Sequence, residues 1–426
     1  MQYFALACDY DGTLAEHGRV SESTIQALEQ LRRTSRKLIL ASGRQLEDLI
    51  DVFPKIRLFD AVVAENGAIF YDAATGTTEP LADPPPADFI DELRRRQVDP
   101  LSIGRVVVAT WEPHEHTVLQ VIKQMNLDFQ VIFNKGAVMV LPTGVNKASG
   151  LLHALEHLKL SAHNTVGIGD AENDLAFLAT CGCAVAVANA LDSVKARAQW
   201  VTPSDHGHGV VELINRLIDS DLEELNPALT RRRLSIGKTL EGRDVFLEWQ
   251  AGNFVVAGPS GAGKTMITTA LLESLSKAHF QFCVVDPEGD YDELADAIPL
   301  RSGDQRALID ETMRVLNHPD ENAVVNLMDL RLADRPLFLQ QLLPRVLELR
   351  ATTGRPHWVV IDEAHHLLPA SGSGAQAILT ALERNVVMVT VHPDHVARAA
   401  LEFVNTAAIV GRDAQVTLEA LARGRG

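Results

Sequence analysis

Carboxylates follow two separate apolar runs in the first half of the chain. Asp9 and Asp11 stand in the segment DYDGT directly after the run at 4–7, and Asp170 and Asp174 stand in GDAEND after the run at 165–168. Open α/β sheets bind ligands at the carboxyl ends of their strands, so we expect these side chains to meet. Mg²⁺ prefers oxygen ligands and keeps waters that a phosphate can replace. The pattern therefore predicts a Mg²⁺ site suited to phosphate chemistry.

Two further groups suit the same chemistry. Ser42, Gly43 and Arg44 follow a third apolar run at 37–41, and Lys147 stands where a helix is predicted to begin. A hydroxyl and an ammonium in such places can hold a phosphoryl group and neutralise its charge. Four motifs in this order indicate phosphoryl transfer.

The motifs resemble those of the haloacid dehalogenase superfamily of phosphatases, in particular the Cof-like branch with a type II cap. The resemblance covers about residues 1–220 and includes DYDGT, ASGR, GVNKASGL, GDAENDLAFL and the ENGA segment at 65–68. It implies a Rossmann-like core and an inserted α+β cap at about 81–142. That cap is short, as in relatives that act on phosphorylated sugars and phosphoglycerate derivatives.

The resemblance also implies roles for individual residues. Asp9 is expected to attack phosphorus and form an aspartyl phosphate, and Asp11 is expected to protonate the leaving oxygen and then activate water. Ser42 and Lys147 are expected to bind the transferring group. The implied Mg²⁺ ligands are Asp9, the backbone carbonyl of Asp11, and Asp170, with Asn173 and Asp174 binding the ion or its ligands. The implied substrate contacts are Gly43, Arg44 and Asn66.

A nucleotide-binding motif opens the second half of the chain. The segment GPSGAGKT at 258–265 matches GxxxxGK[ST] and lies between a predicted strand (253–257) and a predicted helix (266–276). Glycines let backbone N–H groups wrap phosphates, Lys264 reaches the β and γ oxygens, and Thr265 binds Mg²⁺. The predicted ATP-binding residues here are Gly258, Ser260, Gly261, Ala262, Gly263, Lys264 and Thr265.

Two acids complete the expected ATP site. Asp362 and Glu363 end the apolar run at 358–361, where Asp362 is expected to hold Mg²⁺ through water and Glu363 to polarise the attacking water. The region 230–426 resembles the HerA/FtsK-type additional-strand ATPases. The segments that carry this resemblance are the P-loop, DPEGDY at 286–291 and IDEAH at 361–365. Where those proteins carry a Thr-Gln sensor, this chain has Thr390-Val391-His392-Pro393.

The elements that position these groups alternate between strand and helix. This alternation predicts α/β architecture in both halves. We predict a phosphatase domain at 1–225, with its core at about 1–80 and 143–220, and a P-loop ATPase domain at 226–426. Within the cap we predict a strand at 105–110, and we interpret HGHG at 206–209 as a loop.

Composition narrows the class of protein. The 426 residues are 46% hydrophobic and 22% charged, with a net charge of −17. Residues 1–227 hold 19 basic and 31 acidic residues (−12), and 228–426 hold 20 and 25 (−5), so neither half carries the basic charge that dominates nucleic-acid binding.

The four cysteines are too few for a disulfide framework. No apolar run reaches the roughly 20 residues of a membrane span, so we expect a cytoplasmic protein.

We expect a Mg²⁺-dependent phosphomonoesterase, acting on a phosphorylated small molecule or a nucleic-acid end, fused to a domain that binds and hydrolyses ATP. Two alternatives stay open. One is a bifunctional phosphatase and kinase, against which Glu363 argues because a kinase needs no second acid. The other is a HerA-like motor or regulatory ATPase that assembles as a homo-oligomer on nucleic acid, with secondary phosphatase activity; the charge of that half does not support it.

Overall fold

The chain forms two compact units, residues 1–229 and 230–426, in a computed structural model. The structure describes residues 1–134, 136–228, 233–239, 241–248, 252–370 and 384–425. Mixed α/β architecture is confirmed in both units. None of the helices in these ranges combines the length and apolarity that crossing a bilayer requires.

An eight-stranded sheet forms the centre of the N-terminal unit, in the order β12-β11-β10-β1-β2-β3-β4-β5. The six strands from β12 to β3 are parallel, and β4 and β5 return antiparallel. The parallel strands are buried along most of their length, as expected when helices cover both faces. The strands are β1 (Ala5–Asp9), β2 (Lys37–Ala41), β3 (Ala61–Ala64), β4 (Ile69–Asp72), β5 (Thr78–Pro80), β10 (Thr165–Gly169), β11 (Cys183–Ala186) and β12 (Trp200–Val201).

The helices of this core connect the strands. They are α1 (Glu22–Arg33), α2 (Leu46–Val52), α5 (Lys147–His157), α6 (Leu175–Thr180), α7 (Asp192–Lys195) and α8 (His206–Ser220). The interpretation of HGHG as a loop is wrong, because α8 begins at His206. A Cβ on Gly207 would lie 2.4 Å from Thr24 Oγ1, and one on Gly209 would lie 2.4 Å from Thr202 Oγ1. The glycines therefore let the first turn of α8 pack closely on its neighbours.

The cap is a four-stranded antiparallel sheet with two helices. Its own small core includes Phe89, Leu93, Val118 and Val140. The predicted strand at 105–110 is partly wrong, because residues 105–107 are not in a strand; their N–H groups bind a side chain of the core. The elements are α3 (Ala87–Arg95), β6 (Ser102–Ile103), β7 (Val108–Trp111), α4 (Glu115–Gln124), β8 (Phe129–Asn134) and β9 (Ala137–Pro142).

The C-terminal unit contains a seven-stranded parallel sheet in the order β17-β18-β16-β19-β20-β15-β21 and a hairpin, β13-β14. Strand β20 lies between the P-loop strand β15 and β19, so the expected additional strand is present. The strands are β13 (Arg233–Lys238), β14 (Asp244–Glu248), β15 (Asn253–Ala257), β16 (Phe282–Asp286), β17 (Ile298–Arg301), β18 (Ala323–Asn326), β19 (Trp358–Ile361), β20 (Val386–Thr390) and β21 (Val404–Ile409). Its described helices are α9 (Lys264–Lys277), α10 (Gln305–Leu316), α11 (Arg335–Thr353), α12 (Ala364–Leu367), and two more at Arg398–Leu401 and Ala414–Arg425.

Two glycines let helix α5 approach the turn after β3. Gly67 has φ +107°, and a Cβ there would lie 1.9 Å from the carbonyl oxygen of Asn146. A Cβ on Gly150 would lie 2.4 Å from Val63 Cγ1. Asn146 caps α5 by accepting hydrogen bonds from the N–H groups of Ala148 and Ser149. This close approach sets the position of Lys147, the first residue of α5.

We predict that Gly67→Ala destabilises the N-terminal unit far more than Gly76→Ala. Gly76 has φ +76° but no heavy atom within 4 Å of a Cβ. Both changes carry the left-handed backbone cost of about 1–2 kcal/mol, and Gly67→Ala adds about 1–3 kcal/mol for the clash with Asn146. Urea unfolding of the full chain measures the difference, and equal losses would contradict the role of the close approach.

Candidate functional site

A buried lysine joins two of the predicted acids. Lys147 Nζ lies 2.5 Å from Asp9 Oδ1 and 2.6 Å from Asp174 Oδ1, and all three side chains are almost fully buried. Asp9 ends β1, Asp174 follows β10, and these strands are neighbours. Burial disfavours an ammonium, but Asp174 and Asp9 raise the pKa of Lys147 and keep it charged.

Asp170 adds a third buried carboxylate to the two that bind this lysine. Oxygens of Asp9, Asp170 and Asp174 lie within 4.8 Å of one another. Three carboxylates against one ammonium leave two negative charges in excess, which is costly in a buried site. Burial, together with the charge of Asp174, raises the pKa of Asp9 although Lys147 opposes the shift. The donor set fits a divalent cation, which would cancel the excess and keep Asp9 ionised as a nucleophile must be.

Asp174 and Asn173, two of the predicted Mg²⁺ ligands, differ in whether their side-chain oxygens already accept hydrogen bonds. Asp174 Oδ2 accepts hydrogen bonds from the N–H groups of Asp170 (2.9 Å) and Ala171 (3.0 Å), and its Oδ1 accepts from Lys147. Both oxygens of Asp174 are therefore occupied, so we expect it to orient its neighbours. Asn173 Oδ1 is buried with no hydrogen-bond partner among the described residues, which makes it available to a bound group.

Asp11, the predicted general acid, forms an ion pair with Arg44, a predicted substrate-binding residue. Arg44 donates from Nε to Asp11 Oδ2 at 2.6 Å and from Nη2 to Asp11 Oδ1 at 2.7 Å. The side chain of Asp11 is 44% exposed, whereas that of Asp9 is buried. Asp11 is thus turned toward the guanidinium, and it must leave this pair before its carboxyl can donate a proton elsewhere.

Ser42, Gly43 and Asn66 lie at the ends of the next two strands. Ser42 is buried, and its backbone carbonyl accepts a hydrogen bond of 2.9 Å from the N–H of Asn66. Asn173 Nδ2 donates to Asn66 Oδ1 at 3.1 Å, and Asn66 Nδ2 is buried with no partner among the described residues. A Cβ on Gly43 would lie 3.3 Å from the methyl group of Met139 in the cap. The cap therefore reaches these strand ends.

Glu65 is a site residue that the sequence did not identify. Its buried carboxylate accepts hydrogen bonds, each 2.9 Å long, from the N–H groups of Arg105, Val106 and Val107 in the cap. Gly104 makes room for it, since a Cβ there would lie 2.6 Å from Glu65 Oε2. Its neighbour Asn66 accepts a hydrogen bond from Asn173, and Glu65 and Asn66 both have left-handed φ values near +50°. The first residue of ENGA thus attaches the cap to the core beside the site.

The predicted P-loop is present in the second unit. Gly261 and Gly263 have left-handed φ values, and α9 begins at Lys264. Lys264 Nζ donates to the carbonyl of Pro259 at 3.3 Å, across the loop, and Thr265 Oγ1 donates to Asp290 Oδ2 at 3.3 Å. The loop thus positions an ammonium and a hydroxyl at the helix N-terminus, where backbone N–H groups favour anions.

Three acids of the second unit stand at the ends of β16 and β19, which are neighbours in the sheet. Asp362 and Glu363 follow β19, and Asp286 ends β16. Burial raises the pKa of Asp362 to about 7, with Glu363, Asp286 and Asp290 contributing. Burial also raises the pKa of Glu363, although Lys264 opposes it. Such a cluster favours a bound cation.

Two family models match the chain, one in each unit. The haloacid dehalogenase-like hydrolase family matches residues 6–99 and 103–214, and the AAA ATPase domain family matches residues 246–390. A phosphoglycolate phosphatase of Methanosarcina acetivorans is 30% identical over 222 residues, covering 51% of this chain and 97% of that protein. One from Methanothermobacter thermautotrophicus is 28% identical over 223 residues, covering 50% and 98%. A haloacid dehalogenase-like hydrolase structure from Bacteroides thetaiotaomicron has a TM-score of 0.45 and 19% identity, covering 50% of this chain and 99% of that one.

The chain belongs to the haloacid dehalogenase-like hydrolase family. Its N-terminal unit is a phosphatase of that family, and an AAA ATPase domain follows it. The predicted P-loop ATPase domain is thereby confirmed at the level of the AAA class. The narrower HerA/FtsK-type assignment stays a prediction.

We predict that Glu65→Gln loosens the cap at its attachment to the core. The amide keeps one acceptor oxygen but loses the charge that strengthens three hydrogen bonds, so exchange of the amide hydrogens of residues 105–107 should accelerate by about 10- to 100-fold. Hydrogen exchange on the full chain measures this. The matched control is Glu47→Gln, which removes an exposed ion pair with Arg105 (2.5 Å) and should leave the exchange nearly unchanged. Equal exchange in wild type and Glu65→Gln would contradict the role of Glu65.

Proposed function

We propose that the N-terminal unit hydrolyses phosphomonoesters with Mg²⁺ through an aspartyl-phosphate intermediate at Asp9. The observation that carries this proposal is the buried cluster of three carboxylates, two of which contact Lys147. Asp9, Asp170, the carbonyl of Asp11 and Asn173 would hold the cation, which neutralises phosphate oxygens and the carboxylates when bound. Ser42 and Lys147 would bind the phosphoryl oxygens.

The chain's own residues would carry the reaction in two displacements. In the first, a carboxylate oxygen of Asp9 forms a bond to phosphorus, and the ester oxygen leaves with a proton from Asp11. In the second, Asp11 takes a proton from water, the water oxygen bonds to phosphorus, and the bond to Asp9 breaks to release phosphate. Arg44, which pairs with Asp11 at 2.6–2.7 Å, would hold the acid aside until substrate enters.

We propose that the substrate is a small phosphorylated carboxylic acid of the phosphoglycolate class. The similar archaeal proteins carry the name phosphoglycolate phosphatase. Met139 of the cap lies over Gly43, which leaves little room above the phosphate site. The unpaired Asn66 Nδ2 offers a hydrogen-bond donor to the carboxylate of such a substrate.

We propose that the C-terminal unit binds Mg²⁺ and ATP and hydrolyses ATP. Support comes from the P-loop geometry, from Thr265 beside Asp290, and from the position of Glu363 at the end of the strand next to β20. A second acid next to Asp362 suits activation of water, whereas transfer of the γ-phosphate to an acceptor would need none. Appearance of labelled γ-phosphate on an acceptor rather than as free phosphate would favour the kinase alternative.

We predict that Asp9→Asn lowers release of phosphate from phosphoglycolate by at least about 10³-fold, because the amide is no nucleophile. Binding of ATP should be unaffected. Lys264→Ala should do the reverse, weakening ATP binding and sparing the phosphatase. Asp51→Asn, which changes an exposed residue in the same way, is the matched control. Undiminished phosphatase activity in Asp9→Asn would refute the mechanism, and EDTA should abolish the wild-type activity.

We predict that Met139→Ala broadens the substrate range. Removing the side chain over Gly43 should raise kcat/KM for hexose phosphates relative to phosphoglycolate by about tenfold. A panel of phosphorylated acids, sugars and nucleic-acid ends, assayed with and without ATP, measures the ratio. Leu119→Ala, an exposed position on cap helix α4, is the control. If wild type and Met139→Ala show the same ratio of kcat/KM for hexose phosphates and phosphoglycolate, the cap does not limit substrate size at this position.

A further inference from the structure

The turn after β11 contacts the loops that carry two of the proposed catalytic acids. Asn189 Nδ2 donates to the carbonyl of Gly12 at 2.7 Å, and Gly12 directly follows Asp11. Two residues after Asn189, the N–H of Leu191 donates to the carbonyl of Asp170 at 2.9 Å. Strand β11 lies next to β10, and β10 lies next to β1. Asn189 therefore reaches past the end of β10 to the loop that follows β1.

The side chain of Asn189 is fixed at both of its polar ends. Its Oδ1 accepts a hydrogen bond of 2.8 Å from the N–H of His206, the first residue of α8. An amide group offers an acceptor oxygen and a donor nitrogen, and here each has a backbone partner of the opposite kind. Aspartate at this position would keep the contact with His206 but would lose the donor to Gly12. The pair of partners thus requires asparagine.

Gly12 is the residue of the loop after β1 whose conformation most needs an external partner. It has φ +85°, and a residue without a Cβ has many accessible φ and ψ values. Its N–H donates to the carbonyl of Ala15 at 3.0 Å, and its own carbonyl accepts from Asn189. The next residue, Thr13, donates from Oγ1 to Asp170 Oδ1 at 3.3 Å. Both peptide groups of Gly12 are therefore held.

These contacts leave Asp11 with a backbone that is held on both sides. Asp9, two residues before it, ends β1, and Gly12 after it is bound by Asn189. The side chain of Asp11, by contrast, is 44% exposed and pairs with Arg44. The carboxyl can therefore leave Arg44 by rotation about side-chain bonds while the backbone stays in place. Because a misplacement of about 1 Å can cost about 10²-fold in rate, the position of this backbone matters for catalysis.

We propose that Asn189 is a positioning residue that fixes the backbone of Asp11 relative to Asp170. The inference rests on the proposed phosphatase mechanism and adds a residue to it. Asn189 acts through the carbonyl of Gly12. Two functions of Asp11 depend on that contact: donation of a proton to the leaving oxygen, and the contribution of its backbone carbonyl to the proposed cation site. Since Asn189 is exposed, its replacement leaves no buried cavity, and we expect its variants to fold.

Substrates with different leaving groups separate this role from a purely structural one. The ester oxygen of phosphoglycolate needs a proton as it leaves, whereas p-nitrophenolate is a stable anion and leaves without one. In the full chain with Asn189→Ala, assayed with Mg²⁺, kcat/KM should fall about tenfold for phosphoglycolate and no more than about twofold for p-nitrophenyl phosphate. A loss of folded protein would lower both values by the same factor. Equal falls, or no fall, would overturn the proposal.

Two further variants locate the effect. Asn189→Asp keeps the acceptor for the N–H of His206 but loses the donor to Gly12, so it should change the ratio of the two kcat/KM values as Asn189→Ala does. The matched control is Asn226→Ala, which removes a hydrogen bond of 3.3 Å with Gln2, before the amino end of β1, and should keep the wild-type ratio. A wild-type ratio in Asn189→Asp would overturn the proposal.

Hydrogen exchange supplies a measurement that does not depend on turnover. The N–H groups of Gly12 and Leu14 each donate to a carbonyl of the same loop at 3.0 Å. Their exchange should accelerate about three- to tenfold in Asn189→Ala and stay unchanged in Asn226→Ala. Unchanged exchange in Asn189→Ala would overturn the proposal. If wild type hydrolyses neither phosphate ester, the proposed phosphatase activity fails, whereas the exchange rates still decide whether Asn189 holds the loop.

Discussion

The buried ammonium of Lys147 is the interaction on which the phosphatase site depends. It lies between Asp9 and Asp174, and without it three buried carboxylates would be crowded together with no positive charge beside them. A buried charge that loses its partner is strongly destabilising, so this lysine must be held accurately. The close approach of α5 at Gly67 and Gly150 provides that accuracy. The absence of a side chain at two glycines thus supports the placement of a buried charge in the site.

Both units place their chemistry at the carboxyl ends of adjacent parallel strands. In the first unit the groups follow β10, β1, β2 and β3, which are neighbours in the sheet. In the second unit they follow β16, β19, β20 and β15, again neighbours. Each site collects an excess of carboxylates beside one lysine, Lys147 or Lys264. The same physical need, a cation to balance buried acids and bind phosphate oxygens, therefore accounts for both.

Much of the fold and of the site could be predicted from motifs, because these residues act through contacts that lie close in sequence or at strand ends. The P-loop and the run before Asp362 are examples. Other features depended on distant partners. The strand prediction at 105–110 missed that residues 105–107 bind Glu65, some 40 positions earlier. The glycines of HGHG suggested a loop, but they serve the close packing of a helix against Thr24 and Thr202.

The sequence by itself determined the two classes of chemistry, the order of the motifs and the α/β architecture, because local periodicity and short motifs encode them. The tertiary structure decided which groups pair. It turned Asp11 toward Arg44, occupied both oxygens of Asp174, and joined Asn189 to Gly12. Hydrogen bonding depends on distances of a few tenths of an ångström between residues far apart in the chain. Only the packing of strands and helices sets such distances.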